Sequence, residues 1–397
     1  MFKPKGSTKL WPVHLKPKPD ELLTSWLVRL AMAHAQKLHT FCSITWLGKP
    51  IWTRDIDKSA DDEILQVLSN KTGTPLERVQ ITTLAAYEGV LYERYNRYGP
   101  TAWIMPIGVF HRTRRRYGLQ YCPRCLSEDR EPYYRRRWRL AFIVLCNEHN
   151  LVLHDRCPVC QAPINFHRNE LGNYKKYFTI SLTHCYACAF DLRQTPIMGS
   201  NPITPAEVEF TSTLIKIMSD GYAQLGRAVI AYSHMYFMGI RQLMKIVAMN
   251  DERLDNLRQE LSNVYGIEMY TPRMEKRPPD IQEKSITERR QLLQLTQCLL
   301  TDWPSRFIIH SQKHKLWSSL WLRHVESGPW ERSGAAPFWL WSVIHDHLYR
   351  APYSPSEQEI KLAIEHLKRN GGTVNKSTLA RLLGVSVVRN KLAIEAK

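Results

Sequence analysis

The sequence has no apolar segment long enough for a membrane. It contains no run of about 18 uncharged apolar residues, and its N-terminus, MFKPKGSTKLWPV, lacks the apolar core of a secretory signal peptide. We therefore expect a cytoplasmic protein without a membrane partner. Thiols in that compartment stay reduced, so clustered cysteines are expected to bind metal rather than to form disulfides.

Acidic residues are scarce relative to basic ones. The 397 residues include 37 Asp and Glu against 55 Lys and Arg, a formal net charge of +18. Such a field attracts polyanions, and nucleic acid or a nucleoprotein is the partner that we favour. The alternatives are a protein kept soluble by its charge and a basic face that docks an acidic protein. With 44% hydrophobic residues the chain is expected to fold, and its length indicates about two to four modules.

Cysteine is nearly absent outside one segment. Seven of the nine cysteines lie between residues 122 and 188, and we interpret the other two, Cys42 and Cys298, as buried thiols. Together with one histidine, the seven form four pairs, each separated by two residues. These pairs are Cys122 and Cys125, Cys146 and His149, Cys157 and Cys160, and Cys185 and Cys188.

This spacing is typical of zinc ribbons. Two intervening residues let a tight turn direct both ligands at one ion, about 2.3 Å from each sulfur, and a second turn completes a tetrahedron. We predict two zinc ions, with sequential pairing as the simplest arrangement and an interleaved one as the alternative; His154 and His184 are alternative ligands. Four protein ligands leave no position for water or substrate, so both ions are predicted to be structural.

Arginine is concentrated around the first ligands. Residues 111–139 hold ten arginines against three acidic residues, with tyrosines and Trp138 interleaved. Guanidinium groups bind phosphate oxygens in pairs, and aromatic rings stack on bases. The alternative is a solvated loop whose arginines pair with carboxylates elsewhere. The nucleic-acid or nucleoprotein contacts that we predict here are Arg112, Arg114, Arg115, Arg116, Arg135, Arg136, Arg137 and Arg139.

Helical patterns dominate the rest of the chain, so the predicted fold is mainly α. Residues 1–110 are predicted to form a helical domain with a helix-turn-helix around residues 61–84, and residues 111–195 a double zinc-finger module. Residues 196–350 are assigned to a helical domain, helical by pattern over 205–265. Residues 351–397 are predicted to end the chain in a second helix-turn-helix. If that unit reads DNA, its recognition helix carries Arg389, Asn390 and Lys391.

Two stretches resemble the TniQ/TnsD family of transposition proteins. The first is WPVHLKPKPDELLTSWLVRLAMAHA, with its acidic pair followed by Ser25, Trp26 and Arg29; the second is YCPRCLSED followed by CNEHNLVLHDRCPVC. The resemblance implies a target-selection adaptor that binds target DNA or docks on an RNA-guided CRISPR complex of the Cascade type. It also implies recruitment of an AAA+ regulator and, through it, of the transposase, and it admits a homodimer.

Two other functions compete with this interpretation. A sequence-specific, zinc-containing transcriptional regulator would share the zinc sites and the helix-turn-helix units. An enzyme would need paired carboxylates around metal ions or an open zinc. The only short acidic-histidine cluster is His345-Asp346-His347, in a tryptophan-rich helical stretch. We therefore expect no enzymatic activity.

Overall fold

The computed structural model describes the greater part of the chain, and the structural statements below refer to those residues. They are residues 10–49, 51–108, 116–165, 168, 182–196, 202–226, 229–274, 279–323, 336–349 and 355–384. Within them the chain is mainly helical, as predicted, with fifteen α-helices and two antiparallel two-stranded sheets. No helix in these ranges has the length and apolar character needed to cross a bilayer.

The N-terminal region is built around one helix, α1 (Leu23–Ala33), that is buried along most of its length. The other helices of the region are α2 (Leu38–Thr45), α3 (Ile56–Ser59), α4 (Asp62–Thr72) and α5 (Leu76–Gln80). Every residue from Leu23 to Ala31 in α1 is buried, and the Trp26 indole donates to the carbonyl of Leu15 at 3.0 Å. Gly73, at φ +60°, ends α4. Because α5 has only five residues, the helix-turn-helix interpretation of this region stays a prediction.

The metal-ligand segment contains little regular structure. Its elements are α6 (Pro123–Glu128), β1 (Leu145–Cys146) and β2 (Leu151–Val152), and the two strands pair antiparallel. Isolated bridges join this segment to the N-terminal region, at Ile104 with Leu140 and at Glu21 with Arg135, and to itself at Tyr121 with His154. Three large aromatic side chains of the segment are fully buried, namely Trp138, Tyr121 and Tyr134. The metal-ligand segment therefore has an apolar interior, formed by its own side chains and by those of neighbouring regions.

Residues 202–349 form a helical region interrupted by a hairpin. Its elements are α7 (Pro205–Asp220), β3 (Tyr222–Leu225), β4 (Val229–Tyr232), α8 (Ser233–Val247), α9 (Glu252–Tyr265), α10 (Ile286–Leu300), α11 (Ser305–Lys313), α12 (Ser318–Trp321) and α13 (Phe338–Leu348). The continuous helical pattern predicted over 205–265 is therefore wrong at the hairpin. Gly221, at φ +81°, ends α7, and burial alternates along β3 with the period of a strand.

Buried apolar residues of the described ranges form two separate clusters. The larger runs from Leu22 to Leu348 and includes buried residues of the N-terminal region, the metal-ligand segment and the helical region. The smaller lies between α14 (Glu357–Arg369) and α15 (Lys376–Leu383), where Ala363 packs with Leu379. Gly384 ends α15, and the predicted recognition residues Arg389, Asn390 and Lys391 lie outside the described residues.

Candidate metal centres

The first cluster combines a helix start with a strand end. Cys122 immediately precedes α6, Pro123 occupies the first helical position, and Cys125 lies in the first turn. Cys146 ends β1, and His149 lies in the turn that leads to β2. The helix start and the hairpin turn thereby bring four ligand atoms within 4.8 Å of one another.

The distances within this cluster fit a tetrahedral metal ion. The Nδ1 atom of His149 lies 3.6 Å from the sulfur of Cys122, 3.3 Å from that of Cys125 and 3.5 Å from that of Cys146. The sulfurs of Cys125 and Cys146 are 3.5 Å apart. Ligands about 2.3 Å from one ion would be separated by about 3.8 Å, whereas a disulfide requires about 2.05 Å. The residues therefore fit a shared ion, and no disulfide forms among the nine cysteines, all of which lie in the described ranges.

A carboxylate orients the histidine of the first cluster. Glu128, at the end of α6, has its Oε2 atom 2.7 Å from Nε2 of His149, which leaves Nδ1 directed at the sulfurs. Burial on its own would lower the pKa of His149, but hydrogen bonds with Glu128 and Cys146 raise it. Such carboxylate partners fix the tautomer of metal-binding histidines. Sequence analysis missed Glu128, although its place three residues after Cys125, on the same face of a helix, is a usable signal.

The second cluster consists of four thiols. The sulfurs of Cys157 and Cys188 are 3.6 Å apart, and those of Cys160 and Cys185 are 3.5 Å apart. All four sulfur atoms lie within 4.8 Å of one another. The structure therefore brings together the third and fourth pairs, and separately the first and second. This is the sequential arrangement rather than the interleaved one.

Three of the four ligand turns share one backbone geometry. In each, the amide four residues after the first ligand donates to the carbonyl of that ligand, and the donating residue has a positive φ. The three donors are Asn150 to Cys146 at 2.8 Å, Gln161 to Cys157 at 3.0 Å, and Ala189 to Cys185 at 2.9 Å. Their φ values are +51°, +58° and +60°. In the turn at Cys122 the amide of Leu126 makes the same hydrogen bond, at 3.1 Å, but Leu126 lies in α6 and does not have a positive φ.

The alternative histidine ligands lie outside both clusters. The ring of His154 packs against Tyr121, with centroids 5.5 Å apart, and burial lowers its pKa to about 4. The Nδ1 atom of His184 is 3.1 Å from the hydroxyl of Thr183. Neither histidine belongs to a four-ligand group. The candidate ligands are therefore the eight residues that the spacing indicated.

The two clusters differ in their exposure to solvent. The three cysteines of the first cluster are at most 3% exposed. In the second cluster Cys157 and Cys185 are buried, Cys160 is half-buried and Cys188 is exposed. A chelator therefore reaches the second cluster more easily than the first.

Two of the predicted contact arginines pair with carboxylates next to the first cluster. Arg135 is 4% exposed and binds Asp129 through two hydrogen bonds, of 2.7 and 3.0 Å. Its guanidinium also lies 4.3 Å from the centre of the Tyr133 ring. Arg137 is 2.6 Å from Glu148, a residue of the same turn as His149. These ion pairs stabilise the conformation of the first metal loop, the chain between Cys125 and Cys146.

The other two arginines of this loop connect it to the N-terminal region. Arg139 is fully buried and binds Asp55 at 2.6 Å and Asp57 at 3.1 Å, on either side of the start of α3. Arg136 donates to the carbonyl of Ile81 and lies 3.4 Å from Asp20. Of the predicted arginines that precede the first ligand, Arg116 is half-buried at a cavity, and Arg112, Arg114 and Arg115 lie outside the described residues.

Residues at the start of α1, in the stretch that resembles the TniQ/TnsD family, also connect the N-terminal region to the loop that holds Arg135. Glu21 is buried and binds Arg29 at 2.7 Å, and it also accepts a hydrogen bond from the Ser25 hydroxyl at 3.0 Å. The Ser25 oxygen in turn accepts from the backbone amide of Tyr134, and the carbonyl of Tyr134 accepts from the amide of Leu22. The helix motif and the metal loop are thus parts of one hydrogen-bonded unit.

Comparison with known proteins matches this unit to one family. Residues 12–153 match the family model described as TniQ. The match includes α1 to α6, both short strands and the first ligand cluster, and it ends before Cys157. No curated protein matches the chain.

Proposed function

Because the chain is a TniQ family member through its domain at residues 12–153, we propose that it selects the target site in DNA transposition. A TniQ domain fits a transposition-associated function. In our proposal the chain binds target DNA, or a CRISPR complex of the Cascade type that carries a guide RNA. It then recruits an AAA+ regulator and, through that regulator, the transposase. The observation that carries the proposal is the family match itself, which covers the N-terminal helices together with the first metal cluster.

We also propose that both clusters hold structural zinc. Four protein ligands complete a tetrahedral zinc, and thiolate and imidazole are the ligands that zinc prefers. An ion held in this way would supply folding energy to a segment with few regular elements. The chain is accordingly proposed to act as an adaptor without catalytic activity of its own.

The charge of the chain supports a polyanionic partner. A formal net charge of +18 favours association with DNA or with a guide-RNA complex, and this attraction weakens as salt is added. The predicted contacts at Arg112, Arg114 and Arg115 remain part of the proposal. A homodimer is compatible with it as well.

The function can be tested by mapping insertions in a reconstituted transposition assay. The assay contains transposase, AAA+ regulator, and either bare target DNA or a guide-RNA complex, with and without this chain. We expect targeted insertion only when the chain is present. Insertion at the same site and rate without it would refute the proposal. If the chain instead binds one operator and captures neither the regulator nor a guide complex, it is a transcriptional regulator.

A matched pair of variants tests the contribution of the C-terminal unit. Leu379 is fully buried in the small cluster between α14 and α15, whereas Leu382 on the same helix is 44% exposed. We expect Leu379→Ala to redirect or abolish targeted insertion and Leu382→Ala to leave it near the wild-type level. Equal insertion profiles for both variants and the wild type would exclude this unit from target choice.

A further inference from the structure

A basic cavity lies beside the N-terminal end of the metal-ligand segment. Its volume is about 300 Å³, and it is bounded by α3, by the segment from Arg97 to Ile107 and by Gln282 and Glu283. Four basic side chains line it, namely Arg54, Lys58, Arg97 and Arg116. The acidic residues of the lining are Asp55 and Glu283. The arginine-rich stretch that precedes the first ligand in the sequence ends at this cavity, with Arg116.

Neutral groups hold the cations of this cavity. The Nζ atom of Lys58 donates to the carbonyl of Gly99 at 2.6 Å, and Arg97 donates to the carbonyls of Ser59 and Ala60. Carbonyl groups position these side chains but leave their charge in place. Burial lowers the pKa of Lys58 to about 8, with Arg139 adding to this effect and Asp55 opposing it. A bound anion would therefore offset the cost of burying the charged lysine.

The cavity differs from the arginine-rich metal loop in its ion pairs. Within the described part of the chain, none of Arg54, Lys58, Arg97 and Arg116 has a carboxylate oxygen within 4.0 Å, and Asp55 is bound by Arg139. The loop arginines 135, 136, 137 and 139 all have such partners. The four loop arginines that sequence alone assigned to phosphate are thus paired with carboxylates inside the protein, whereas the cavity keeps positive charge available, including that of Arg116.

An exposed aromatic ring lies at the edge of this cavity. Tyr98 is 68% exposed and lines the cavity. The guanidinium carbons of Arg54 and Arg97 lie 5.1 and 5.8 Å from the centre of its ring. A tyrosine next to cations is a combination that serves single-stranded nucleic acids, because the ring stacks on a base while the cations hold the phosphate.

We propose that this cavity binds a phosphate group of a nucleic-acid backbone through Arg54, Lys58, Arg97 and Arg116, with Tyr98 available to stack on an adjacent base. The assignment of the phosphate to nucleic acid rests on the proposed function. The chemistry of the site itself requires only a phosphate. A free nucleotide or inorganic phosphate is the other source of that group.

The test uses the full-length chain and two positions of the cavity, exposed Arg54 and half-buried Arg116. The double variant Arg54→Gln with Arg116→Gln removes two charges without touching the side chains that hydrogen-bond to the backbone. Its control is Arg193→Gln with Arg253→Gln, which removes two charges from arginines that each pair with an aspartate two residues earlier. Thermal unfolding and metal content establish that all variants fold.

Salt-dependent binding gives the first measurement. Fluorescence anisotropy with a labelled mixed-sequence duplex and with the matching single strand yields the dependence of affinity on salt. On the duplex we expect the cavity variant to lower the log-log slope by up to about 0.9, because the cavity holds one phosphate and each lost phosphate contact removes about 0.9. The control is expected to change it little. Equal slopes for the cavity variant and the control would overturn the proposal.

Two further measurements identify the source of the phosphate. Isothermal titration with inorganic phosphate and with adenosine monophosphate is expected to show binding much weaker than that of the oligonucleotides. Tight nucleotide binding that the cavity variant abolishes, with oligonucleotide slopes unchanged, would overturn the assignment to nucleic acid. The result is independent of the transposition assay, because a chain without a role in target selection can still show the loss of slope.

Discussion

Arg139 shows how a single residue links two parts of this protein. Its guanidinium is fully buried, bound to Asp55 and Asp57 and to the carbonyl of Met105. Burial and the neighbouring Asp55 raise the pKa of Asp57 to about 7, although Arg139 lowers it. Asp55 and Asp57 therefore share one cation as their ion-pair partner. In the sequence this arginine is indistinguishable from its neighbours.

Replacing Arg139 should be far more costly than replacing Arg137. We expect Arg139→Leu to lower the free energy of unfolding by about 3 to 5 kcal/mol, because it leaves buried carboxylates without a cation. Arg137→Leu breaks a partly exposed pair and should cost under about 1 kcal/mol. Urea unfolding of the metal-loaded proteins measures both. Similar losses for the two variants would contradict the buried role of Arg139.

The free energy of unfolding lost in Arg139→Leu should increase with pH. A buried carboxyl group with a raised pKa destabilises the folded state when it is ionised. The free energy of unfolding therefore falls as pH rises through the folded-state pKa of the group. Without Arg139 the pKa of Asp57 rises further. The difference between Arg139→Leu and the wild type should therefore be larger at about pH 8 than at about pH 6. A difference that stays constant or shrinks with rising pH would argue against this pKa shift.

Ala189 adopts a backbone conformation that favours glycine. Its φ of +60° places it in the left-handed region, which costs an L-residue about 1 to 2 kcal/mol. Glycine loses part of that gain through the greater freedom of the unfolded chain. We expect Ala189→Gly to stabilise the metal-loaded protein by about 0.5 to 1 kcal/mol in urea unfolding. The control Ala206→Gly, in the first turn of α7, should destabilise it by up to about 1 kcal/mol.

At the scale of elements, the two metal clusters should differ in their response to chelation. We expect about two zinc ions per chain, and we expect the chelator to remove first the ion of the second cluster, where Cys188 is exposed. Cys188→Ser should lose about one zinc and leave the N-terminal region folded. Cys122→Ser should unfold that region, because the first cluster is part of its hydrogen-bonded unit.

Zinc analysis and circular dichroism provide the measurements for these variants. Cys298→Ser is the matched control, since that thiol is buried but belongs to neither cluster, and its zinc content should equal that of the wild type. Recovery of a folded protein without zinc would refute the structural role of the metal. Simultaneous release of both ions would refute the difference between the clusters.

At the scale of the whole molecule, the larger apolar cluster predicts cooperative unfolding. Arg289 of α10 is fully buried and donates to the carbonyl of Ala141 at 2.7 Å and to the amide oxygen of Gln120 at 3.1 Å. Burial lowers its pKa to about 10. This side chain joins the helical region to the metal-ligand segment, so metal release and tryptophan exposure should occur in one transition.

Arg289→Met tests this connection. We expect a loss of about 3 kcal/mol or more, because each buried acceptor left without a donor costs about 1 to 3 kcal/mol. The loss should appear equally in tryptophan fluorescence and in zinc release. Arg273→Met, at a pair whose arginine is 57% exposed, should cost under about 1 kcal/mol. A loss seen by fluorescence alone would show that the two regions unfold independently.

The sequence alone determined the candidate metal ligands, the helical class and the family resemblance. Eight ligands at fixed spacing are a local property of the chain, since the turn that directs two of them at one ion spans only a few residues. Helix starts are local in the same way: Thr204 and Ser356 cap α7 and α14 through their own third neighbours. The hairpin at β3 and β4 escaped prediction because packing against neighbouring helices overrides local helical preference.

Only the tertiary structure decided what the arginines do. Arginines 135, 136, 137 and 139 and Arg116 look alike in the sequence, because a charge pattern does not specify which carboxylates will lie nearby. Asp55 and Asp57 are more than 80 residues from Arg139, yet the fold brings them into contact. Arg54 and Arg97 are brought to one cavity with Arg116 in the same way. Ion pairing is a property of distance in space, and distance in space is set only when the chain has packed.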